Sequence, residues 1–133
     1  MSMLKLALGI VAGIVTGMIV ISAVEMIGHA IWPPPPGTTS GDMDSVRAAI
    51  AAAPTAALAT IVAAWTMGAF AGALVANLIA RRALAGWIIV ALVIASIVVN
   101  ATMIPGPVWM PISGILLAIV AGWLASRVRP KPI

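Results

Sequence analysis

Four long apolar runs divide the chain, from Leu6 to about Trp32, Ala56 to Ala80, Ala83 to Ile104 and Val108 to Ser126. Each is long enough to cross ~30 Å of hydrocarbon as an α-helix rising ~1.5 Å per residue, the last only just. The breaks between them are chemically plain. Pro33-Pro34-Pro35-Pro36-Gly37 stops the first run, because consecutive prolines lack N–H donors and force an extended path. Arg81-Arg82 marks a tight hairpin, and Pro105-Gly106-Pro107 turns the chain into the last run. Pro111 falls in the first turn of that run, where a missing N–H does no harm. The predicted fold class is an all-α membrane protein. It is a single four-transmembrane-helix bundle spanning 1–133, with helices at about 6–32, 56–80, 83–104 and 108–126 and an outer loop at 33–55.

That proline-rich loop carries its own short helical signal. Asp44 is placed to N-cap a helix from Ser45 to Ala52, closed by Pro54, and its small apolar residues predict an interfacial helix on the outer bilayer surface. The loop reads either as a plain connector or as a functional element.

Composition narrows the setting. The chain is 63% hydrophobic and 8% charged, whereas soluble domains carry roughly 25% charged residues. A water-soluble fold of this composition would have nothing polar enough to cover itself. The absence of cysteine excludes disulfides, thiolate catalysis and thiolate-bound metals. A net charge of +4 raises the question of nucleic acid, but the basic residues sit at helix ends without interleaved aromatics, and no nucleic-acid partner is expected. They read as topology signals. Lys5, Arg81, Arg82, Arg127, Arg129 and Lys131 fall on one side of four spans, and only Arg47 on the other. By the positive-inside rule both ends of the chain are expected in the cytoplasm, with the proline-rich loop outside. The expected location is the bacterial cytoplasmic (inner) membrane, as a multi-pass protein. The first run is too long for a signal-peptide core and lacks an Ala-x-Ala site, so it is expected to stay as a helix.

Small residues recur at four-residue spacing. The first helix carries Gly9, Gly13 and Gly17; the second Ala64, Gly68, Gly72 and Ala76; the fourth Gly114, Ala118 and Gly122. Such stripes let helix backbones approach closely, which drives association in lipid. The pattern leaves the partner open: another helix of this chain, a second copy, or another membrane protein. Asn77, near the inner end of the second helix, is expected to donate an interhelical hydrogen bond.

Polar residues gather at the outer level. Glu25 and His29 lie one turn apart on the first helix, away from the glycine stripe. Asn100 and Thr102 end the third helix, Trp109, Met110 and Ser113 begin the fourth, and Thr60 begins the second. Glu25, His29, Asn100, Asp42 and Trp109 form the candidate outer-face cluster. Two readings stand for the Glu25–His29 pair: a proton-titrating or ligand-binding pair, or a structural pair near the interface. Met26, Met103 and Met110 could offer thioethers to copper(I), but one His without Cys makes no ligand set, and neither a metal nor another cofactor is expected. Trp32, Trp87, Trp109 and Trp123 read as interfacial anchors.

The motifs Gly28-His29-x3-Pro33-Pro34-Pro35-Pro36-Gly37, Asp42-Met43-x-Ser45 and Asn100-x4-Pro105-x-Pro107-x-Trp109 resemble an uncharacterised family of small bacterial four-helix membrane proteins. The resemblance covers most of the chain and implies the same hairpin order. It places His29, the prolines, Asp42, Asn100 and Trp109 in a shared pattern, with Glu25 outside it. A lone Glu in the first of four short helices also resembles the small multidrug resistance transporters. Here Glu25 lies at the helix edge rather than mid-membrane, and the outer loop is foreign to that family.

Two functional classes follow. The first is a structural or accessory subunit that packs through its small-residue stripes against another membrane protein or a second copy of itself. The second is a small-solute or ion transporter with an outward-facing Glu25/His29/Asn100 site. No nucleophile–base pair or complete metal-ligand set is visible, so enzymatic activity is not expected.

Overall fold

A computed structural model describes residues 3–38 and 41–128. The described residues form five helices: α1 (Met3–Ile31), α2 (Met43–Ala52), α3 (Thr55–Ala80), α4 (Ala83–Met103) and α5 (Trp109–Arg127). Four of them, α1, α3, α4 and α5, are long and apolar enough to cross a membrane, which marks a multi-pass membrane protein. They run alternately up and down, so two ends of the bundle can be distinguished. The terminal end holds the start of α1, the α3–α4 hairpin and the end of α5. The loop end holds the proline run and α2. Lys5, Arg81, Arg82 and Arg127 all belong to the terminal end; Arg129 and Lys131 lie outside the described residues.

Helix α3 is central and touches α1, α4 and α5, while α1 leans on α3 and meets α4 only lightly. The α1–α3 contact is made backbone to backbone. A Cβ added to Gly13 would stand 2.6 Å from the carbonyl oxygen of Gly72, and one added to Gly72 would stand 2.7 Å from that of Gly13. Gly9 meets the Ala76 carbonyl in the same way at 2.8 Å, and Gly17 meets that of Gly68 at 3.2 Å. Towards the loop end Gly28 continues the seam against Thr60. On α5, Gly114 makes room for the Trp65 indole and Gly122 for Val90 and Trp87. All the small-residue stripes are therefore spent inside the chain.

The interior reflects this. Ala69, Ala73, Ala76, Ala80, Ala118 and Ala125 are buried, whereas most of the large apolar chains of α1 point outward. Lipid tails are as apolar as leucine, so large side chains gain little by moving inward; small ones let backbones close up.

Two local expectations are corrected. Asp42, not Asp44, caps α2: its Oδ1 accepts from Asp44 N–H at 3.1 Å. Asp44 instead sits in the first turn, where its charge suits the positive helix end, and it pairs with Arg47 at 3.4 Å. Asn77 accepts rather than donates. Its Oδ1 takes the Gly86 N–H at 2.7 Å and its backbone carbonyl takes Arg81 N–H at 2.7 Å, while Nδ2 has no partner. The start of α4 exposes unpaired N–H groups, so what the hairpin lacks is an acceptor. Arg81 completes the turn in the left-handed region at φ 58°. Asn77→Ala is expected to destabilise the fold by about 1–2 kcal/mol, because a buried cap is lost. A lower Tm in mild detergent checks this, and an unchanged Tm would show that the cap contributes nothing.

Candidate functional site

At the loop end the helices spread and enclose space. The glycine seam fixes the rotation of α1 against α3, and this turns Glu25 and His29 towards the opening between α2, α3 and α4. Asn100 reaches the same space from the last turn of α4, where its backbone carbonyl accepts from Ile104 N–H at 2.9 Å. The resulting chamber is about 700 Å³, with Glu25, His29, Trp65, Asn100, Ile50 and Pro107 among its walls. Glu25 and His29 also border a smaller recess of about 460 Å³ between the proline run and α2.

Helix α2 roofs the chamber. Ile50 packs on the buried cluster of Leu58, Val62 and Met110. Arg47 Nε donates to the Met103 carbonyl at 3.0 Å, satisfying a free acceptor at the end of α4. With its second contact to Asp44, the guanidinium is committed outside the chamber. The short helix thus touches the bundle end through Ile50 and Arg47.

The electrostatics of the chamber are one-sided. Among the described residues no Lys or Arg lines it, and Glu25 is the one acidic wall residue. Glu25 and His29, one turn apart on α1, interact electrostatically with each other, and no salt bridge within 4.0 Å forms at Glu25 among the described residues. A half-buried carboxylate that shares a chamber with an indole, a carboxamide and an imidazole is suited to a cation that also donates hydrogen bonds.

Of the candidate cluster, the fold brings Glu25, His29 and Asn100 to one chamber. Asp42 is exposed and occupied as the α2 cap. Trp109 is exposed and lines neither the chamber nor the recess. The nearby hydroxyls turn back on their own helices: Thr60 to Ala56, Thr102 to Val99 and Ser113 to Trp109. The three methionines diverge, with Met26 facing outward, Met103 on a separate groove and Met110 in the chamber wall. Trp65 is the wall residue that the sequence reading passed over. Its signal was position: among five tryptophans it lies ten residues into its helix, about 15 Å from the helix start, too deep for an interfacial anchor.

No protein-family model, curated protein or solved structure matches the chain.

Proposed function

We propose that the protein is a four-span protein of the bacterial cytoplasmic membrane, and that its loop-end chamber is the outward-facing binding site of a small-solute transporter for organic cations. The orientation rests on charge. Lys5, Arg81, Arg82 and Arg127 gather at the terminal end, and Arg47, the basic residue of the loop end, is paired with Asp44. The observation that carries the binding reading is the convergence of Glu25, His29 and Asn100 from two helices on one chamber, where Glu25 and His29 interact electrostatically with each other. Ionisable groups in a spanning helix are costly and face protein interior or water when they serve function.

Purified protein in nanodiscs titrated with short-chain alkylammonium ions tests this directly. Saturable binding is expected, weakened severalfold by Asn100→Ala, and uptake into proteoliposomes is expected above that of empty vesicles. No saturable binding, with flux equal to empty vesicles, overturns the proposal. The second reading is a structural or accessory subunit, which would meet its partner through exposed apolar faces, since the small-residue stripes face helices of this chain. A stoichiometric large partner in a mild-detergent pull-down would favour it over transport.

A further inference from the structure

The terminal end of the bundle carries charge that no acidic side chain of the protein neutralises. The chain's three acidic residues, Glu25, Asp42 and Asp44, all lie towards the loop end, where Asp44 holds Arg47 at 3.4 Å. None remains for Arg81, Arg82 and Arg127 at the opposite end.

The fold sets two of these arginines level. Gly122 of α5 takes the Trp87 and Val90 side chains of α4, which fixes the alignment of this antiparallel pair. Arg82 precedes Trp87 by five residues and Arg127 follows Gly122 by five, about 7.5 Å of helix in each case. Packed helices stand about 8–10 Å apart. Two long arginine side chains, both from exposed positions, can therefore reach one phosphate between them. Arg81 adds a third cation at a backbone cost. It ends α3 in the left-handed region at φ 58°, a conformation that glycine adopts without a Cβ penalty. Local geometry alone favours glycine at this hairpin tip, and the chain holds a charge there instead.

Aromatic residues mark the depth. Trp87 and Trp123 are both exposed, and the Arg127 guanidinium stands 5.2 Å from the centre of the Trp123 ring. Exposed indoles near helix ends sit at the headgroup level of a bilayer. Leu84 and Leu124 on the same two helices are exposed as well and offer apolar surface to acyl chains.

We infer that the terminal end of the α4–α5 pair binds the headgroup of an anionic phospholipid. Arg82 and Arg127 pair with its phosphate, Arg81 adds charge beside them, and Trp87 and Trp123 lie at its glycerol level. Guanidinium groups match phosphate oxygens in bidentate geometry. A zwitterionic headgroup brings its own cation towards three arginines and is disfavoured. The site lies at the other end of the bundle from the cation chamber and does not depend on it.

The test uses the full chain in maltoside micelles holding equal amounts of phosphatidylglycerol and phosphatidylcholine with the same acyl chains. Native mass spectrometry reads which lipid is retained. A preference for phosphatidylglycerol of at least about tenfold is expected, and Arg82→Gln and Arg127→Gln should each cut it about fivefold, the effect of one arginine at an anionic surface. Arg47→Gln removes the same charge at the loop end and should leave the preference unchanged. Arg81→Gly should split in sign: glycine relieves the turn, so the lipid-free Tm holds or rises while the preference falls. Excess inorganic phosphate should displace no more phosphatidylglycerol than chloride of equal ionic strength. Equal retention of the two lipids overturns the inference, as does a preference that survives Arg82→Gln and Arg127→Gln or falls as far with Arg47→Gln. A lipid-free Arg81→Gly that melts lower overturns the assignment of Arg81, and displacement by phosphate overturns that of a lipid.

Discussion

Gly13→Leu is expected to leave no folded bundle in mild detergent. The Cβ alone would sit 2.6 Å from the Gly72 carbonyl oxygen and 2.9 Å from Ala76 Cβ. Neither neighbour has a rotamer to change, so α1 must lift from α3. Overpacking a tight contact by a methyl costs about 1–3 kcal/mol. An isobutyl group in this seam belongs with the changes that exceed about 4 kcal/mol. The graded series is the stronger measurement. Alanine at Gly13, Gly9 and Gly17 should lower Tm in that order, following added-Cβ distances of 2.6, 2.8 and 3.2 Å. Gly41→Ala, with nothing within 4 Å, should be silent. Melting temperatures that ignore this order would mean that the seam does not hold α1.

Glu25→Gln is expected to weaken binding of an alkylammonium ion to the chamber by at least about thirtyfold, since a hydrogen-bonded charge pair contributes about 2 kcal/mol or more. The side chain keeps its size and its carbonyl acceptor, so the loss isolates the charge. Glu25 is half-buried and away from the glycine seam, so Tm should be little changed. His29→Ala should cost less, because His29 is exposed at the chamber rim. Calorimetric titration of the three proteins in nanodiscs reads these differences. Equal affinity for Glu25→Gln and the parent would place the cation elsewhere. Loss of affinity together with a large drop in Tm would instead assign Glu25 a structural task.

Much of the candidate site was legible before any coordinates, though unevenly. Glu25 and His29 stood out because ionisable groups are rare in spanning helices, and helical spacing put them on one face. Asn100 joined them because alternating spans bring the end of the third helix to the level of the end of the first. Asp42 and Trp109 share that level too, yet one caps α2 and the other is exposed. Depth in the membrane is a one-dimensional coordinate. It groups residues by level and says nothing about the angle at which each leaves its helix. Trp65 was missed for the complementary reason: its importance comes from the meeting of α3 with the chamber and with the groove between α1 and α4, and its own neighbours in sequence are ordinary apolar residues.

The sequence by itself determined four apolar helices of spanning length, their separators and the gathering of basic residues at one end, because these depend on run length, proline chemistry and charge. It also marked the small-residue stripes as surfaces of close approach. Only the tertiary structure decided whom they approach. A stripe at four-residue spacing specifies a flat, featureless face and carries no address. In the folded chain Gly9, Gly13 and Gly17 are matched by Ala76, Gly72 and Gly68 of α3 in antiparallel register. That pairing sets the rotation of α1. The rotation in turn presents Glu25 and His29 to Asn100 and leaves a groove between α1 and α4.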